Sequence, residues 1–285
     1  MNALTAVEYK GNIYIVTNSP TGCLFKTDPE TQVTSFVKQL YVENKVGMSY
    51  YKTIRYGREA WFLPWDSKRI VVIDLETFEE TYYIVTGLDF YKGHGFIDYV
   101  MCGEDTAVLI PSGDNFNTIA VVNLTTKDIT YYTDAFPMMR CIGAYYDNDI
   151  VHLVSDEGII LSELELKTRK IIYRYSANEQ KKADKTKEKM MNAKKGYPGN
   201  EIRYQEIYSN KEGTYSINLD GYIYEYDLKG NVTQKISYIT EVPADLETPK
   251  MDMRVIYEHS KGQILNESDE LGLEDFIGLC IEDKR

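Results

Sequence analysis

Four predicted turns along this chain carry an aspartate beside glycine or serine, and one connection carries a histidine between two glycines. The turns hold Asp66, Asp114, Asp156 and Asp220, and the connection reads FYKGHGFIDY over 90–99. Carboxylates gathered at one mouth could hold a cation or a basic group. Aspartate in such a turn also caps its own backbone, which is a purely structural use. Gly93 and Gly95 permit a tight path that projects His94, an imidazole able to act as general base or ligand. The chain has 3 histidines, and His152 and His259 fall in predicted strands without a nearby histidine partner, so no metal centre and no cofactor are expected.

Trp61 and Trp65 bracket Pro64. Strand alternation puts Trp61 on the same face as Leu63, a packing position, and leaves Trp65 at the rim. A rim tryptophan beside Asp66 suits stacking against a sugar or a peptide side chain, with Arg55, Arg58 or Arg140 as anion clamps. No nucleophile elbow, phosphate loop, dinucleotide fingerprint or zinc-protease helix occurs.

The elements that must position these residues repeat. LFKTDPETQVTSF, VVIDLETFEETYY, AVVNLTTKDITYY, LSELELKTRKIIY and YEYDLKGNVTQKI share an apolar run, an acidic or amide anchor, a turn and a second β run. The anchors are Asp28, Asp74, Asn123, Glu165 and Asp227, at intervals of 46, 49, 42 and 62 residues. A period in the forties built from strands alone marks a β-propeller with one blade per repeat. The second unit is the clearest: strands over 50–57, 58–65, 69–75 and 79–85, the third almost wholly apolar, as for a strand covered on both faces. In such a blade the turns between second and third strands share one face with the blade-to-blade connections.

The long interval is explained by residues 176–200, with seven lysines against three acids, an insertion within a propeller spanning 1–260. Beyond it a strand over 253–260 leaves room for a degenerate sixth blade, completed by the N-terminus. Leu273, Phe276, Ile277, Cys280 and Ile281 fall on one helical stripe, which predicts a short C-terminal helix within a tail over 261–285 packed on the propeller.

A net charge of −12 argues against nucleic acid and against an anionic membrane surface as partners. The N-terminal MNALTAVEYKGNIYIV has no apolar core of a signal peptide, and the 4 cysteines have no paired spacing, so a reduced, cytoplasmic protein is expected. The 25 tyrosines, many doubled, suit half-buried strand faces.

Units such as AWFLPWDSKRIVVIDLET resemble the kelch/YVTN-type propeller repeats of uncharacterised bacterial proteins, over roughly residues 5–240. The kelch double glycine, the WD dipeptide and the Asp-box are all missing. The resemblance implies architecture, and no catalytic residue follows from it. The expected function is a non-enzymatic scaffold that binds a protein or a small polar ligand on the turn-rich face, through Trp65, Asp66, His94, Arg140 and Asp156. The alternative is an enzyme acting on a small polar or carbohydrate substrate in the central pocket.

Overall fold

The computed structural model describes residues 2–19, 22–41, 49–65, 67–86, 88, 95–111, 118–133, 135, 141–155, 160–173, 204–209, 214–218, 221–227, 231–241 and 243. Among them every regular element is a strand. Blade 1 comprises β1 (Asn2–Tyr9), β2 (Asn12–Ser19), β3 (Cys23–Asp28) and β4 (Val33–Gln39). Blade 2 comprises β5 (Tyr50–Tyr56), β6 (Glu59–Pro64), β7 (Arg69–Asp74) and β8 (Glu80–Ile84). Blade 3 holds β9 (Phe96–Met101), β10 (Thr106–Pro111), β11 (Ile119–Asn123) and β12 (Ile129–Tyr132). Blade 4 holds β13 (Cys141–Asp147), β14 (Ile150–Ser155), β15 (Ile160–Glu165) and β16 (Lys170–Tyr173). Blade 5 holds β17 (Tyr204–Ser209), β18 (Thr214–Asn218), β19 (Tyr222–Tyr226) and β20 (Val232–Ser237). Each blade is an antiparallel meander of consecutive strands, an arrangement consistent with a propeller.

Strand alternation divides each blade's apolar residues between two neighbours. In blade 2, Ala60, Phe62, Val71 and Ile73 pack toward blade 1 with Val7, Tyr14, Val16 and Leu24. Their alternates Trp61, Leu63, Ile70 and Val72 pack toward blade 3 with Ala107, Leu109, Ala120 and Val122. Blade 3 repeats the device, since Val108, Ile110 and Ile119 meet Val151, Leu153 and Leu161 of blade 4. Burying each such side chain stabilises by about 1.5–3 kcal/mol, and a lone blade could bury only one face at a time.

Contacts among the innermost strands run β17–β1–β5–β9–β13. Blade 5 therefore lies directly against blade 1, with no other described strand between them. Ala6, Ile13 and Ile15 pack there against Ile217, Ile223, Ile236 and Tyr238. Gln234 Nε2 donates to the Pro29 carbonyl at 2.9 Å, and Thr34 Oγ1 donates to the Ser237 carbonyl at 3.1 Å. The N-terminal strand belongs to blade 1, paired with β2, so the expectation that it completes a sixth blade is corrected. The strand over 253–260, the insertion over 176–200 and the helix through Leu273–Ile281 lie outside the described residues.

The repeated anchors build the turn between third and fourth strands. Asp74 Oδ1 accepts from the amides of Glu76 (2.9 Å) and Thr77 (3.1 Å). Asn123 Oδ1 accepts from Thr125 (3.0 Å) and Thr126 (2.8 Å), and Asp28 Oδ1 from Glu30 (2.9 Å) and Thr31 (3.4 Å). Side-chain oxygens thus replace the partners that the turning backbone loses. Four residues after the anchor the chain turns left-handed at Gln32, Phe78, Lys127 and Arg169, with φ of 58°, 59°, 67° and 56°. None of these is glycine, so the anchor bonds hold a conformation that β-carbons disfavour. Asn123→Ala should cost about 1–2 kcal/mol by chemical denaturation, the worth of two hydrogen bonds, whereas Asn123→Asp should sit within about 0.5 kcal/mol of wild type.

Candidate functional site

Three backbone bonds fix which elements meet at the end of the blades where the candidate residues were placed. In blades 1, 2 and 5 the amide after the fourth strand donates to the turn between second and third strands: Leu40 to Gly22 (2.8 Å), Val85 to Lys68 (2.8 Å) and Tyr238 to Gly221 (3.0 Å). These turns and the starts of the blade-to-blade connections therefore share one end, as the meander requires.

Trp65 stands at this end, immediately after β6. Its amide donates to the Ser49 carbonyl at 2.9 Å, and its carbonyl accepts from Gly95 at 2.6 Å. Residues leading into β5 and β9 are thereby tied to the tryptophan's backbone, and Gly95 is the residue that follows His94. The indole is half-buried and packs on the Tyr51 ring, with centroids 4.5 Å apart and planes at 33°. Lys52 Nζ lies 5.9 Å from the same tyrosine centroid. Ser67, buried in the following turn, accepts the Arg69 amide at 3.3 Å.

Tyr51 reaches Trp65 because of a register break. Tyr50 pairs with Pro64 and Lys52 with Leu63, which leaves Tyr51 as an extra residue in β5. The same bulge recurs in every first strand, at Leu4, Ile97, Ile142 and Gln205. A bulge bends the strand and re-aims the extra side chain. Here it separates a doubled tyrosine: Tyr50 goes fully into the core, where its hydroxyl donates to the Tyr41 carbonyl, and Tyr51 goes to the rim. The Tyr50–Tyr51 doublet was the visible signal of this residue in the sequence.

Of the five candidate residues, Trp65 is placed at the expected rim. Asp66, His94, Arg140 and Asp156 lie outside the described residues, as do Asp114 and Asp220. Trp61 is a core residue, fully buried, stacked on Tyr83 at 5.4 Å and 7°, its Nε1 donating to Glu59 Oε2 at 3.2 Å. His152 is in mid-sheet, stacked on Tyr145 at 4.4 Å, with Nδ1 3.2 Å from Glu163 Oε1. No metal-ligand cluster occurs among the described residues.

The expectation that Arg55 and Arg58 serve as anion clamps at this end is corrected. Arg55 Nη1 pairs with Glu8 Oε2 at 3.0 Å across blades 1 and 2. Arg58, in the turn at the far end, pairs through Nε with Asp74 Oδ2 at 2.6 Å. That far end is a lattice of such ties. Tyr9 donates to Glu76 Oε1 at 2.8 Å, Lys10 pairs with the same carboxylate, Tyr56 bonds Thr125, and Lys127 pairs with Glu59. In two cases the last tyrosine of one blade's first strand reaches the residue two past the anchor of the next blade.

No family model matches this chain, and no curated protein sequence matches it. Among solved structures it is similar to the extracellular domain of a one-component system from B. thetaiotaomicron, at 14% identity and TM-score 0.45, over 85% of this chain and 29% of that one. It is also similar to BamB from Moraxella catarrhalis, at 12% identity and TM-score 0.45, over 81% of this chain and 62% of that one. The chain thus spans less than two thirds of the length of either. A computationally designed protein, Ika8, matches at 11% identity and TM-score 0.42, over 85% of this chain and 66% of its own length.

Hydrogen bonds from Lys10 and Tyr9 hold the Glu76 carboxyl below its ordinary value. Stability from that group is complete above the ordinary carboxylate range and is lost as pH falls through the depressed folded-state value. Glu76→Gln should therefore lower the thermal midpoint at pH 7, and the gap to wild type should close progressively as the pH is taken below 4. A gap that stays constant across that titration would contradict the assignment.

Proposed function

We propose that the chain is a non-enzymatic, five-bladed β-propeller scaffold, with a closed ring, that binds a protein or small polar ligand on the face carrying Trp65. The observation that carries this reading is the contrast between the two ends of the blades. At the end holding the anchor turns, Lys10, Arg58, Lys127, Glu59 and Glu76 are engaged with one another and serve assembly. At the opposite end a bulge turns Tyr51 out of its strand's alternation and onto Trp65, forming a half-buried aromatic pair. An aromatic pair with a rigid backbone suits stacking on a sugar face or an apolar side chain, and Lys52 beside it suits a polar group.

Asp66, His94, Arg140 and Asp156 complete the proposed site. The sequence repeat assigns them to the same class of turn and connection as Trp65. Kelch/YVTN-like repeats remain the sequence pattern that the blades follow most nearly. Cys23, Cys102 and Cys141 are buried. Burial pushes them up to about 11, about 12 and about 11, which suits a protein working in a reducing compartment such as the cytoplasm.

A calorimetric and fluorescence screen of oligosaccharides and short peptides tests the reading. Any bound ligand should lose at least about tenfold in affinity with Trp65→Ala and with Tyr51→Ala, whereas both variants should keep the wild-type circular dichroism. Trp61→Ala should instead destabilise by about 3–5 kcal/mol, because it empties a core position. Ligands whose binding ignores both Trp65 and Tyr51 would place the function elsewhere.

A further inference from the structure

A second aromatic cluster lies in the outer groove between blades 1 and 2 and is built around an arginine. Arg69 opens β7, and its guanidinium carbon sits 4.2 Å from the Tyr41 ring centroid and 5.8 Å from that of Tyr82. The two rings are 5.3 Å apart, with Tyr41 from blade 1 and Tyr82 from blade 2. Tyr82 is 40% exposed, so the cluster opens to solvent. Unlike Arg55 and Arg58, Arg69 forms no ion pair with any carboxylate among the described residues.

The nearby acid is already engaged. Glu80 Oε2 accepts from Lys38 Nζ at 2.9 Å and from the Tyr82 hydroxyl at 3.2 Å, and Glu80 Oε1 accepts from the Tyr41 amide at 3.4 Å. Among the described residues of the cluster Lys38 and Glu80 cancel, which leaves the positive charge of Arg69. Stacking on a tyrosine occupies the face of a guanidinium and leaves its N–H edge for acceptors lying in its plane. It also holds the side chain in one orientation before any ligand arrives.

We propose that Arg69, held by Tyr41 and Tyr82, is a binding residue for a carboxylate group in the groove between blades 1 and 2. A planar carboxylate accepts two parallel N–H bonds from a guanidinium edge. One negative charge balances the groove, whereas a phosphate dianion would leave excess negative charge beside Glu80. The carboxylate comes either from a small organic acid or from an acidic side chain of a protein partner. This site stands on its own observations and does not depend on the Trp65 face.

The test follows the Arg69 Nε–H signal of the wild type, and the Tyr82 backbone amide in wild type and variants, by NMR at constant ionic strength, since salt screens exposed charge. The probes are N-acetylglutamate, a capped hexaglutamate peptide and inorganic phosphate, with Arg69→Lys and Arg69→Gln as variants. Saturable movement of both wild-type signals with a carboxylate probe is expected, with the affinity read at the Tyr82 amide weakened about tenfold in Arg69→Lys and the movement abolished in Arg69→Gln. Tighter binding of the peptide assigns a protein partner, and tighter binding of N-acetylglutamate assigns a small acid. The proposal is overturned if no carboxylate saturates the wild-type signal, if Arg69→Gln binds as wild type does, or if phosphate binds more tightly than both carboxylates. Should Arg69→Gln fail to fold, the wild-type signal and Arg69→Lys, which keeps the charge but loses the fork, still decide.

Discussion

Apolar packing between facing sheets is the interaction on which the rest of this structure depends. A four-stranded meander has two faces and no core of its own, so each blade is stable only between neighbours. Blade 2 illustrates the constraint: Val71 and Ile73 turn to blade 1, and Ile70 and Val72 turn to blade 3. An unbroken apolar third strand is the consequence. At the junction of blades 1 and 5 the same constraint acts without a shared ladder among the described residues, since each of their sheets is made of consecutive strands. Side chains such as Ile13, Ile15, Ile217 and Ile223 hold that seam.

With packing fixing the blades side by side, their two ends are free to diverge. One end locks the assembly through the anchor turns, whose carboxylates and amides bond their own backbone while neighbouring lysines and tyrosines tie blade to blade. Charge there is spent on structure. The other end gathers turns and connections whose sequences differ from blade to blade, and a bulge in each first strand disturbs the alternation just below it. In blade 2 that disturbance produces the Tyr51–Trp65 pair. The outer groove adds a third surface, where Arg69 is stacked rather than paired.

Much of the scaffold was legible in the sequence because it repeats. The four strands expected over 50–57, 58–65, 69–75 and 79–85 correspond to Tyr50–Tyr56, Glu59–Pro64, Arg69–Asp74 and Glu80–Ile84. The anchors were legible too, since Asx-type turns need a short side-chain oxygen at one position. What period alone does not carry is register. The bulge that frees Tyr51 changes no spacing between repeats, and a doubled tyrosine reads as an ordinary strand pair until the pairing is known. Arg55 and Arg58 were misjudged for a related reason: their partners Glu8, Asp74 and Glu76 are neighbours only after the chain folds. Trp61 and Trp65 were separable beforehand because alternation puts one in the core and the other beyond the strand's end. Asp66, His94, Arg140 and Asp156 lie outside the described residues, where sequence pattern alone stands behind them.

The contact between blades 1 and 5 is the most demanding part of this account, because it joins segments about two hundred residues apart without a strand ladder among the described residues. Methyl-labelled protein tests it directly. Nuclear Overhauser cross-peaks should connect the Ile13 or Ile15 methyls of blade 1 with those of Ile217, Ile223 or Ile236 of blade 5, as expected for side chains packed within about 4.5 Å. Cross-peaks confined to each blade, with none between these two sets, would contradict the arrangement.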